Sequence, residues 1–81
     1  MNLTINTTLN RVFLIGTFCN WDLENAKEVK KRKGNKSIVV NNMPACEYKV
    51  LNCRSWLGEE KPIKNNRLFT GERDETITVQ F

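Results

Sequence analysis

The chain has 81 residues, enough for one domain whose thin core buries only about two thirds of the surface its unfolded chain exposes. A hydrophobic content of 40% with 27% charge suits a globular chain; no apolar run approaches the ~18 residues of a membrane span, and MNLTINTTLN lacks a secretory signal, so the expectation is a cytoplasmic chain, or a piece of a larger one, with no membrane partner. With no histidine and three cysteines in no C-x-x-C spacing, a structural zinc and every Ser-His-Asp or Cys-His arrangement are disfavoured. The cysteines Cys19, Cys46 and Cys53 read as reduced thiols, and no cofactor is expected.

In chain order, the first candidate strands are Leu3 to Asn6 and Arg11 to Thr17. Val12 to Ile15 is apolar on both alternating faces, the pattern of a strand covered above and below. That run ends in VFLIGTFCNWD, where Asn20 and Asp22 flank Trp21, and both of those side chains bond to nearby backbone in turns rather than extend a ladder. Trp21 is therefore expected at a strand end, on a loop held by a rigid scaffold. Next comes KEVKKRKGNK, Lys27 to Lys36, which holds much of the net charge of +4. It reads as a solvated hairpin tip whose lysines also blunt an exposed sheet edge. A nucleic-acid surface is disfavoured, because single-strand binders interleave aromatics with basic residues and this run has none.

Lys36 to Asn41 and Glu47 to Asn52 follow as strands. In CEYKVLN a period of two directs Tyr48 and Val50 inward and Glu47, Lys49 and Leu51 outward, projecting Lys49 into solvent. A weaker strand lies near Leu68 and Phe69, and Thr76 to Phe81 closes a sheet with Ile77, Val79 and Phe81 on one face. The stretches KGNK, NNMPA and EEKPIKNN are the breakers between these runs. No repeat or linker marks an internal boundary, so residues 1–81 read as one unit. Short strands without a convincing amphipathic helix predict an all-β sandwich or barrel.

Two tryptophans in so thin a protein would ordinarily belong to the core. Their contexts argue otherwise: Trp21 lies between two turn formers, and Trp56 lies in NCRSWLGEEK, where no apolar alternation supports a buried strand. Exposed indoles suit a pyranose, whose axial C–H groups form a flat apolar face while its rim of hydroxyls needs donors and acceptors such as lysine and asparagine. An enzyme is not expected. Asp22 with Glu24, or Glu59 with Glu60, are the carboxylate pairs a glycosidase would need, but adjacent carboxylates on loops are solvated or capping groups, and a small sandwich offers little cleft to desolvate them.

GTFCNWD resembles the G-[ST]-F-x-N-W signature of the glycogen-binding module in the beta subunit of AMP-activated protein kinase, and of related N-terminal modules in glycogen branching and debranching enzymes. NWD with the following Ala26 is similar to the starch-binding domains of amylases and glucoamylases. Downstream, MPACEYKV is similar to the family's L-P-x-G…Y-K-F strand, Ser55 and Trp56 fall where a second sugar-stacking tryptophan is found, and NNRLFT resembles N-R-x-[YF]-T. These matches keep the family's order from Val12 to Phe81.

The resemblance implies an immunoglobulin-like antiparallel β-sandwich that binds α-1,4-glucan, as glycogen, starch or maltooligosaccharide, without cleaving it. Trp21 and Trp56 would stack on glucose rings, and Lys49 would hydrogen-bond a sugar hydroxyl. The further polar contact is Asn66 on alignment to starch-binding domains and Asp74 on alignment to the kinase module; Asn66 is preferred because Arg67 follows it as in the motif. The implied partners are an α-glucan polysaccharide or oligosaccharide and an attached or associated glucan-active enzyme or kinase. The sequence departs from the pattern where Ala45 or Cys46 replaces a usual glycine, where Lys36 and Ser37 replace an aromatic, and in a longer loop from Trp56 to Asn66. A second reading keeps the fold but makes the tryptophans anchors of a protein–protein or interdomain contact with no sugar.

Overall fold

A computed structural model describes residues 1–61 and 65–81; residues 62–64, within the breaker stretch EEKPIKNN, lie outside the described residues. The described strands are β1 (Leu3–Asn6), β2 (Arg11–Gly16), β3 (Lys27–Lys30), β4 (Ser37–Val40), β5 (Cys46–Leu51), β6 (Arg67–Phe69) and β7 (Glu75–Thr78). They form a three-stranded sheet ordered β4-β1-β7 and a four-stranded sheet ordered β3-β2-β5-β6. The chain is all-β, as its short alternating runs predict, and its main core lies between the two sheets. Among the described residues no helix is long and apolar enough to cross a membrane.

The apolar run of β2 explains the layering. Val12 and Leu14 face the inter-sheet core with Leu3, Ile5, Ile38, Tyr48 and Val50. Phe13 and Ile15 point the other way and, with Leu51 and Ala26, form a second cluster on the outer face of the four-stranded sheet, against which Cys19, Trp21 and Leu23 pack. Each fully buried Leu or Ile contributes roughly 1.5–3 kcal/mol relative to exposure. A strand buried on both faces thus needs a cover on its outer side, and the loop after β2 supplies it.

The same outer cluster corrects one expectation. Leu51 does point away from the inter-sheet core, but it is 0% exposed because the loop lies over it. Thr76 to Phe81 is also shortened: β7 ends at Thr78, Val79 still donates its N–H to the Asn6 carbonyl at 3.3 Å, and Phe81 lies exposed beyond the ladder rather than on the buried face.

Two further differences concern strand pairing. Sequence alternation misses β3, whose one apolar residue, Val29, is half-buried. It forms because β2 has an edge to pair, from Arg11 opposite Lys30 to Leu14 opposite Lys27. Lys27 and Lys30 are exposed on that outermost strand, where charge discourages edge-to-edge association. Residues 31–36 are not a hairpin tip, since β3 and β4 belong to different sheets; they connect one sheet to the other. The pairing is also not wholly antiparallel: β1 and β7 run parallel, from Leu3 opposite Glu75 to Asn6 opposite Thr78. Parallel neighbours need a long connection, and here nearly the whole chain intervenes.

Candidate functional site

Gly16 closes β2, and the loop after it is tied back at once: the Trp21 N–H donates to the Gly16 carbonyl at 3.0 Å. Asn20 and Trp21 both take left-handed backbone, with φ of 54° and 57°. Asparagine does so readily, whereas a bulky residue there is strained and persists only when its surroundings hold it. Here the Gly16 bond and the packing of the indole on the outer cluster hold it. Asp22 then caps the next 3-10 turn, accepting from the Glu24 N–H at 3.1 Å and from Asn25 Nδ2 at 2.8 Å. Of the two turn formers around Trp21, Asp22 bonds to nearby backbone as expected, whereas Asn20 serves the turn through its left-handed backbone, with no side-chain hydrogen bond among the described residues.

Arg54 fastens this loop from the far side. Its Nη1 donates to the carbonyls of Leu23, Glu24 and Ala26 at 2.9, 3.2 and 2.9 Å, and its guanidinium lies 4.8 Å from the centroid of the Phe13 ring. Sequence reasoning missed this residue. Its partners are backbone carbonyls, which carry no signature in the sequence.

Trp56 opens a second 3-10 turn, Trp56–Gly58, where the Ser55 hydroxyl accepts from the Leu57 N–H at 3.2 Å. The turn is tied to the end of β5 by the Asn52 N–H donating to the Gly58 carbonyl at 2.9 Å. Two loops 35 positions apart thus converge on one spot. The indoles lie with ring centroids 6.5 Å apart and planes tilted by 30°. Trp56 is 42% exposed, whereas Trp21 is half-buried against the outer cluster. Beside them Leu57 is 96% exposed.

Lys49 lies on the same outer side of β5, opposite Ile15. Its side chain is not free in solvent: it is 20% exposed, and Nζ lies 3.1 Å from Glu59 Oε1. The reason is cross-strand geometry. Glu59 bridges to Leu51, two residues along β5 from Lys49, and such diagonal neighbours on one face are within reach of long side chains.

Asn66 is exposed and directly precedes β6, one residue beyond the Tyr48–Arg67 pair of the β5–β6 ladder. It therefore belongs to the same sheet as Lys49. Asp74 belongs to the other sheet, at the entrance to β7, where its Oδ1 accepts the Asn2 N–H at 2.7 Å. The four residues Trp21, Lys49, Trp56 and Asn66 are all carried by the four-stranded sheet and its loops; Asp74 is not.

One ion pair under this surface was not legible in sequence. Glu60 is 5% exposed and takes Arg67 as a two-pronged partner, Nε to Oε1 at 2.7 Å and Nη2 to Oε2 at 3.0 Å. Arg67 Nη2 also donates to the Thr78 carbonyl at 3.3 Å, joining the two sheets at their rim. The Glu60 hydrogen bond raises the guanidinium's pKa above its already high usual value. Burial of Tyr48 pushes its phenol up to about 12. The cysteines are free thiols; Cys46 lies in the core, where burial first and Cys19 second raise its pKa.

Chemically, the site offers two tilted aromatic planes, an ammonium already held by a carboxylate, and an exposed amide. Of the carboxylates considered above, Asp22 is a cap, Glu59 pairs with Lys49 and Glu60 pairs with Arg67. Comparison with protein-family models, with curated proteins and with solved structures returned no match.

Proposed function

We propose that the chain is a non-catalytic module that binds α-1,4-glucan on the outer face of its four-stranded sheet, in an immunoglobulin-like sandwich. The observation that carries this reading is the convergence of Trp21 and Trp56, with centroids 6.5 Å apart and planes 30° from parallel. Two planes tilted in this way suit successive sugar faces of a curved α-linked chain better than the flat ribbon of a β-linked one. Lys49 would donate to a hydroxyl with an N–H not used by Glu59, since an ammonium has three donors. Asn66 would supply both an acceptor and a donor from the β6 side. The first and last strands, β1 and β7, paired in parallel within one of two facing sheets, are compatible with the immunoglobulin-like arrangement.

Few polar clamps on an open surface predict weak binding, with a dissociation constant on the order of 0.1–1 mM, near −4 to −5.5 kcal/mol. Tryptophan fluorescence titration with maltoheptaose, set against cellohexaose, tests this. Saturable quenching by the α-linked sugar alone supports the reading, while no response at about ten times the upper constant, or an equal response to both sugars, removes its basis.

One observation favours a second reading, a protein or interdomain contact without sugar. Leu57 and Phe18 are exposed in the same loops as the tryptophans, and exposed aromatic and aliphatic groups together are typical of interface anchors. On that reading maltoheptaose leaves the fluorescence unchanged.

A further inference from the structure

We propose that the glucan taken by this face carries phosphate monoesters, with its sugar rings on the indoles and a phosphate in a basic groove on the same side of the molecule. This rests on the glucan reading above. Six of the 13 basic residues and one of the nine acidic residues lie between Lys27 and Lys36, leaving seven basic against eight acidic residues in the rest of the chain. Elsewhere Lys49 is paired with Glu59 and Arg67 with Glu60, while Arg54 is held by three carbonyls. Among the described residues no carboxylate pairs with Lys31, Arg32, Lys33 or Lys36.

Where β2 and β3 meet, Asn10, Arg11, Lys30, Lys31 and Asn52 line a groove of about 470 Å³. Arg11 and Lys30 stand opposite each other in the ladder and share one carboxylate, Glu28, at 3.0 and 3.9 Å. Lys31 Nζ donates to the Thr7 carbonyl at 2.7 Å, which leaves its charge uncompensated. Three cations thus meet one anion, a local excess that a phosphate dianion would neutralise through charge-assisted hydrogen bonds.

The groove is joined to the tryptophans. Asn52 lines it and is hydrogen-bonded to Gly58 in the Trp56 turn. Arg11 lies 5.7 Å from the centroid of the Phe13 ring, which belongs to the cluster under Trp21. A polymer crossing the indoles can therefore continue into the groove.

The distribution of charge separates such a ligand from a polynucleotide, which is anionic at every residue and needs positive potential along its whole path. Beside the indoles stand Asp22, Glu24 and Glu59 against Arg54 and a Lys49 already paired with Glu59, so the acidic residues outnumber the basic ones there. A neutral chain bearing occasional esters meets no repulsion there and gains only at the groove.

The test uses the full chain with one amylopectin preparation, phosphate-bearing and after enzymatic dephosphorylation, with affinity read by gel retardation. The phosphate-bearing polymer is expected to bind about five- to tenfold more tightly at about 50 mM salt, and the difference is expected to vanish near about 500 mM. Arg11→Gln with Lys30→Gln abolishes the preference and leaves affinity for the dephosphorylated polymer unchanged. Lys33→Gln with Lys36→Gln removes equal charge outside the groove and keeps the preference. Equal affinity for both polymers overturns this inference alone, as does an equal loss of preference in the two double variants. Failure of the dephosphorylated polymer and of maltoheptaose to bind overturns the glucan reading beneath it. Tighter binding of polyuridylate than of either polymer overturns both.

Discussion

Replacing Trp56 with alanine removes a half-open ring from a surface turn, so glucan binding should weaken by about 1 to 3 kcal/mol, by analogy with base stacking on aromatic side chains. Its melting temperature should hardly move, and calorimetry beside a binding titration checks both. Trp21→Ala should behave differently, because its indole covers the Phe13, Ile15 and Leu51 cluster as well as presenting a face. It should lose binding and also stability, by less than the ~3–5 kcal/mol of a fully buried tryptophan. That contrast was only half legible: neighbouring Asn20 and Asp22 announced the turn, but nothing local announces that a loop folds back over a sheet. Lys49→Ala should weaken binding by about 1 to 2 kcal/mol, the range for losing a hydrogen bond from a charged donor. Tyr48 gives a pH prediction. Burial raises its folded pKa to about 12, so the stability linked to its neutral phenol is complete below an unfolded value of about 10 and is lost as pH rises towards 12. Urea midpoints should therefore fall more steeply over that window in the parent than in Tyr48→Phe; parallel slopes would contradict the assignment.

At the scale of elements, the junction between β2 and the Trp21 loop is the most constrained point. A methyl group at Gly16 would run into the Glu47 carbonyl of β5, and the Gly16 carbonyl holds the Trp21 N–H. Gly16→Ala should destabilise the chain by about 1 to 3 kcal/mol, as overpacking does, and should also disturb the indole. Thermal melting of the variant, with near-ultraviolet circular dichroism to follow the tryptophans, tests this. Strand legibility followed burial. Val12 to Ile15 and Tyr48 with Val50 were readable because each alternate position enters a core. β3 was not, because an edge strand with Val29 as its one apolar residue is held by backbone pairing to β2 rather than by its own side chains. The parallel β1–β7 pair was equally hidden, since alternation reveals a face but not a partner or a direction.

For the whole molecule, the two sheets and their core were foreshadowed by composition and period, while the charge layout emerged only on folding. Lys49 and Glu59, ten residues apart, and Glu60 and Arg67, seven apart, neutralise each other through contacts that sequence spacing does not disclose. The basic stretch between Lys27 and Lys36 is left as the one concentrated source of positive charge. A neutral glucan on the indoles should therefore bind almost equally at about 50 and about 500 mM salt, because no ion pair forms with it. The most direct measurement of the central claim is a two-dimensional 15N–1H spectrum of the chain titrated with maltoheptaose, following the two indole N–H signals, which the sequence limits to Trp21 and Trp56. Both indole signals, with the backbone amides of Lys49 and Asn66, should shift along one saturable curve while amides of the three-stranded sheet stay fixed. Unmoved indole signals at saturating sugar, or shifts confined to the opposite sheet, would contradict it.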